Sequence, residues 1–164
     1  MDDPFSTFEL TPGFDLDLDV LRQRFLAASA AHHPDRFTDP LDQADAAERS
    51  AEINQAYQTL IDPEARANAL LTLRGGPAAS DDQSLPPTLL MEVMEIREEL
   101  EQAVADKDRS TIVRLRQWAT TAYDQHLTKL SKLFAAQDLD GKAIRLELNA
   151  MRYVQRMLEQ MPDT

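Results

Sequence analysis

The residues of this 164-residue chain that most plainly set up chemistry are three in a row, His33-Pro34-Asp35. Proline lacks an amide hydrogen and pushes the residue before it out of the α region, so the segment must sit at or just past a helix end. That puts the Asp35 carboxylate on a solvent-facing bend, where its two oxygens match a guanidinium on another surface. A purely local reading also fits: histidine ends a helix, proline stops it, and aspartate begins a turn.

Other chemistry is scarce. With Cys 0 there is no disulfide, thiolate metal site or thiol nucleophile, which leaves carboxylates, hydroxyls and His32, His33 and His126. Gly13, Gly75, Gly76 and Gly141 cannot make a phosphate-cradling loop or dinucleotide fingerprint. Adjacent His32 and His33 point in different directions on a helix, and His126 is far away in sequence, so no metal site is expected. Asp15-Leu16-Asp17-Leu18-Asp19 begins like a calcium loop but has Val20 and Leu26 where glycine and glutamate are required. No nucleophile stands beside a base. The expectation is therefore no catalytic residues, no cofactor and no enzymatic activity.

Charge narrows the partners. Lys+Arg 17 against Asp+Glu 29 gives a net charge of −12, which argues against nucleic acid. No apolar stretch approaches the ~20 residues that span a bilayer, and Met1-Asp2-Asp3-Pro4-Phe5 opens no targeting segment. A cytoplasmic, monomeric protein without a membrane partner is expected.

The elements that must position these residues read as helices throughout, so the fold class is all-α. Pro4 to Leu10 supplies a short turn of helix, ended by Thr11-Pro12-Gly13. Leu18, Leu21, Phe25 and Ala28 recur at helical spacing behind a capping Asp17, predicting a helix over roughly 18–32. After a loop through Thr38-Asp39-Pro40, the spacing of Ala44, Ala47, Ala51, Asn54, Tyr57 and Ile61 predicts one face of a second long helix. The two form an antiparallel hairpin with His33-Pro34-Asp35 at its tip. Asp62-Pro63 caps a short helix to about Leu73. Residues 1–75 make a first domain, and the polar, proline-containing stretch 76–87 reads as a linker. Residues 88–164 show three further patterns: Leu89, Val93, Ile96, Leu100, Val104; Ile112, Leu115, Ala119, Ala122, His126, Leu130, Leu133; and Ile144, Leu148, Met151, Leu158. They predict an up-down-up three-helix bundle.

The first bundle helix has apolar residues to spare. Leu90, Met91 and Met94 face away from its core pattern, beside Glu95 and Glu98, and adaptable methionine side chains suit an irregular partner surface. From the residues alone, burial in the bundle or under the first domain, with the acids as a solvated face, is the preferred account. Arg145, Arg152 and Arg156 share one side of the last helix and are expected to pair with Glu92, Glu95 or Glu99. Trp118 reads as a packing residue.

The chain resembles a J domain over residues 4 to about 73. The matching features are a Phe-containing first helix, His33-Pro34-Asp35-Arg36-Phe37, Ile53-Asn54-Gln55-Ala56-Tyr57-Gln58-Thr59-Leu60, and Asp62-Pro63-Glu64-Ala65-Arg66. Through Leu90-Met91-Glu92-Val93-Met94-Glu95-Ile96-Arg97-Glu98-Glu99-Leu100 the second half resembles one branch of that family, the HscB-type co-chaperones of iron-sulfur cluster assembly. The resemblance implies that His33, Pro34, Asp35, Arg36 and Arg24 dock on a DnaK/HscA-class ATPase chaperone and stimulate hydrolysis there. It also implies that Leu90, Met91, Met94, Glu95, Glu98 and Tyr153 hold an IscU-like iron-sulfur scaffold protein. The second helix departs from the family's basic face, carrying only Arg22 and Arg24. The alternatives are a J-domain co-chaperone for another dedicated client, or a plain helical adaptor.

Overall fold

The computed structural model describes residues 3–162; the extreme ends of the two expected domains, residues 1–2 and 163–164, lie outside the described residues. Among the described residues the regular elements are seven α-helices and one 3₁₀ turn: α1 Pro4–Thr7, α2 Leu18–Ala31, the turn Pro34–Arg36, α3 Pro40–Ile61, α4 Pro63–Leu73, α5 Pro87–Ala105, α6 Arg109–Ala135 and α7 Gly141–Gln160. The chain divides into two compact units, Met1–Arg74 and Gly75–Thr164.

Aspartates open most of the helices. Asp3, Asp17, Asp39, Asp62, Asp108 and Asp140 each accept a hydrogen bond from backbone N–H groups in the following first turn, satisfying donors that have no partner inside the helix. Asp39-Pro40 was expected to prolong a loop, yet it starts α3 by the same cap-then-proline device that Asp62-Pro63 uses for α4. Gly75, at φ 73, takes the left-handed conformation that ends α4.

In the first unit α1 and the loop after it plug the hairpin, with Phe5, Phe8 and Phe14 buried alongside Leu21, Ile53, Leu60, Leu70 and Leu71. Burying each such side chain contributes about 1.5–3 kcal/mol. Phe25 of α2 stacks on Tyr57 of α3 at 4.0 Å between centroids, fixing the hairpin's register, and Phe8 meets Phe25 edge-on. The expected α3 face is corrected: Ala44, Ala47, Ala51 and Asn54 are exposed, and Ala46, Ile53, Ala56 and Leu60 go inward. Alanine loses little on either side, so the large Ile53 and Leu60 decide the orientation. Arg66 is buried, donates to Leu60 O at 2.5 Å and lies over the Phe14 ring, so it pins the end of α3 to the first loop.

The second unit is a three-helix bundle. Its core joins Leu89 and Val93 of α5, Leu115 and Ala119 of α6, and Ala150, Val154 and Met157 of α7. Val104, expected inward, is 47% exposed and Ala103 takes its place near the end of α5. His126 of α6 is buried and bonds Glu147 Oε1 at 2.6 Å through Nδ1, with Lys129 Nζ 3.5 Å from the same oxygen. Burial pushes the Glu147 carboxyl up, but the His126 hydrogen bond and the charges of His126 and Lys129 prevail and hold it below its ordinary value.

The stretch 76–87 is tied to the second unit. Buried Arg145 donates to Pro77 O at 3.1 and 2.8 Å, Asn149 donates to Asp82 O and Ser84 O, and Leu85 packs against the bundle core. Arg145 therefore holds this strap. On α5, Glu92 accepts from Trp118 Nε1 at 3.0 Å and Glu99 pairs with Arg114.

Candidate functional site: a hairpin tip and a helix face

The tip of the first unit is a tight and well-bonded turn. Arg36 N donates to His33 O and Phe37 N to Pro34 O, both at 3.0 Å, closing the 3₁₀ turn. His33 Nδ1 accepts the Asp35 amide at 3.3 Å and lies 3.6 Å from Asp35 Oδ2. Arg36 Nη1 reaches back to Ala30 O at 3.0 Å, covering a carbonyl at the end of α2, and Gln43 Nε2 donates to Phe37 O at 2.8 Å from the first turns of α3. The side chain of Asp35 is left 89% exposed. A carboxylate held out on a braced turn loses little further entropy when a guanidinium docks on it.

His33, Pro34, Asp35 and Arg36 are thus brought together at one bend. Arg24 lies elsewhere on the hairpin: its Nη1 donates to Phe8 O at 3.1 Å and to Glu9 Oε2 at 2.9 Å, tying α2 to the residues after α1. The side of α2 away from Arg24 that meets solvent carries Leu26, 56% exposed, with Ala30.

The second candidate surface lies on α5. Leu90, Met91 and Met94 are 43%, 69% and 64% exposed, and Glu95 and Glu98 are also exposed. Their opposite side, Leu89 and Val93, is sunk in the bundle, so the exposed stripe is presented by a rigid helix. Tyr153 of α7 is half-buried against the same core, and Arg97 of α5 lies over its ring at 5.5 Å. This contact brings Tyr153 to the edge of the α5 stripe. Arg97 was not among the expected site residues, although its spacing of three from Met94 and seven from Leu90 puts it on their side of the helix.

A short helix, a hairpin bearing His-Pro-Asp at its bend and a closing helix make the first unit a J domain, and the whole is a J-domain co-chaperone with a helical C-terminal bundle. Comparison with known families agrees, the DnaJ domain matching residues 3–69 and the HSCB C-terminal oligomerisation domain residues 85–161. The chain is 38% identical over 146 residues to the co-chaperone protein HscB homolog of Vibrio cholerae, covering 87% of this chain and 81% of that protein. It is 31% identical over 162 residues to the Shewanella oneidensis homolog, covering 96% and 93%. Among solved structures it resembles chaperone HscB from Vibrio cholerae with a TM-score of 0.83 at 31% identity, over 98% of this chain and 95% of that one. It also resembles the human co-chaperone protein HscB with a TM-score of 0.85 at 26% identity, over 98% and 81%. The chain belongs to the HscB family, the co-chaperones of iron-sulfur cluster assembly.

Proposed function

We propose that this protein recruits a DnaK/HscA-class chaperone through His33, Pro34, Asp35 and Arg36, with Arg24 adding to the dock, and delivers an IscU-like iron-sulfur scaffold to it. ATP hydrolysis takes place on the chaperone, with the first domain, residues 1–75, accelerating it. The scaffold is carried on Leu90, Met91, Met94, Glu95, Glu98 and Tyr153 of the second domain, residues 88–164, with residues 76–87 between the two. The protein acts in the cytoplasm as a monomer.

The observation that carries this reading is the pairing of two presented surfaces of unlike chemistry: an anionic tip, 89% exposed at the Asp35 side chain, and an apolar stripe reaching 69% exposure at Met91. Large apolar side chains held out on a rigid helix beside acids suit a partner with an apolar centre and a polar rim. Moderate affinity, from an apolar centre with a polar rim, suits a cargo that must be released. No helix among the described residues is long and apolar enough to cross a membrane.

The test is the chaperone's ATPase rate with this protein alone, with the scaffold alone and with both. Stimulation by the pair beyond the product of the separate effects is expected. Additive rates, or no stimulation by this protein, would refute the delivery role. Light scattering at working concentration should return a mass near 18.5 kDa.

A further inference from the structure

The α5 stripe does not end at Tyr153. A helix turns about 100° per residue, so going around α5 from the α7 side outward the order is Arg97, Leu90, Met94, Glu98, Met91, Glu95. The order is anchored at both flanks: Arg97 lies on Tyr153 of α7, while Glu92 and Glu99 reach Trp118 and Arg114 of α6. Beyond Tyr153, α7 continues the surface with exposed Arg152 and Arg156, one helical turn apart. These two arginines and Tyr153 line a cleft of about 470 Å³ whose far wall is the strap, including Gln83 and Leu85. The wall is built in, because Asn149 holds the carbonyls of Asp82 and Ser84 and buried Arg145 holds that of Pro77.

From one edge to the other the surface passes from carboxylates, through apolar side chains and a tyrosine, to three guanidiniums. In a chain of net charge −12, a gathering of Arg97, Arg152 and Arg156 around one ring is a local reversal of sign. We infer that the cleft between α7 and the 77–85 strap is a second half of the scaffold-docking surface, taking an acidic extended segment of the same partner whose apolar patch covers Leu90 and Met94. The inference rests on the scaffold-delivery reading and adds the partner's chemistry to it.

The occupant is a peptide carboxylate segment for two reasons. Arginine forks pair with carboxylates in two-point fashion, and the apolar wall at Leu85 with the Tyr153 ring gives an extended chain something to lie against. A partner with a basic patch for Glu95 and Glu98 and an acidic segment for the arginines fits in one orientation only, since turning it end for end sets like charges together.

The experiment is titration calorimetry of the full chain against an IscU-like scaffold protein at low and at physiological salt, using wild type, the double variant Arg152→Glu/Arg156→Glu, the milder Arg156→Gln and, as a control on the apolar stripe, Met94→Asp. The double variant should bind about tenfold or more weakly at low salt, with the gap narrowing as salt rises, and Arg156→Gln should fall between it and wild type. Thermal melting of each variant is read alongside; if the double variant melts lower than wild type, Arg156→Gln alone decides, and its wild-type affinity would overturn the proposal. If the double variant binds like wild type while Met94→Asp abolishes binding, the cleft has no role and the delivery reading survives. If wild type itself does not bind the scaffold, both readings fall.

Discussion

At the hairpin tip one carboxylate is held out on a turn stitched by its own backbone and by His33, Arg36 and Gln43; on α5 three apolar side chains stand on a helix whose opposite side is buried in a bundle. The tip needs local bonding only, and its recognition is directional, through charge. The α5 stripe needs the whole bundle behind it, and its recognition is spread over area. Damage should therefore travel differently in the two regions: a one-atom change can silence the tip without touching stability, whereas the stripe can be weakened either at its surface or by loosening the helix beneath it.

The sharpest break is Asp35→Asn. It keeps the backbone amide that bonds His33 Nδ1 and removes the charge, so chaperone ATPase stimulation should vanish, an effect of about 2–5 kcal/mol on docking, while circular dichroism and scaffold affinity stay as in wild type. Wild-type stimulation by this variant would end the claim that the tip works through its carboxylate. Next comes the stripe: Leu90→Ala and Met94→Ala should each weaken scaffold binding by about 1–3 kcal/mol in calorimetry and leave stimulation by the protein alone untouched. Loss of basal stimulation in these variants would mean the two regions do not act separately.

Arg145→Met probes the support behind the stripe. It removes the donors to Pro77 O from a buried site, so urea unfolding of the second unit should lose about 1–3 kcal/mol, with the first unit's transition unmoved. The smallest expected effect is one of pH. The folded Glu147 carboxyl is held below 4.5, its ordinary value, so the unfolded chain takes up the proton first as pH falls. The stability this group adds is whole above about that value and drains away as pH drops through the lowered one. Urea midpoints should show this acid sensitivity in the second unit, and Glu147→Gln should flatten it.

Much of the molecule was legible in the chain. Proline and aspartate punctuation placed the helix starts at Leu18 and Pro63, and the three- and four-residue spacing of Ile112, Leu115, Ala119, Ala122, His126, Leu130 and Leu133 announced α6. Leu90, Met91 and Met94 could be seen as surplus to the α5 core, and they are exposed. The α3 face was misjudged because alanines mark no side, and Val104 because the adjacent Ala103 takes the inward position at that end of α5. Partners were the harder matter. Arg145, Arg152 and Arg156 look alike in sequence, yet one is buried on a backbone carbonyl and two line an open cleft.

What the sequence determined by itself is local: a bend at His33-Pro34-Asp35, caps at the aspartates and the periodicity that makes each helix two-sided. These follow from backbone sterics and from donors within a turn, which neighbours in the chain supply. Only the tertiary structure decided which arginine serves the fold and which the surface, that the proline-containing strap is bound by Arg145 and Asn149, and that Arg97 meets Tyr153. Those pairings join residues from 56 to 68 positions apart. Such partners are chosen by how helices rotate and pack in space, a quantity that no single segment of the chain encodes.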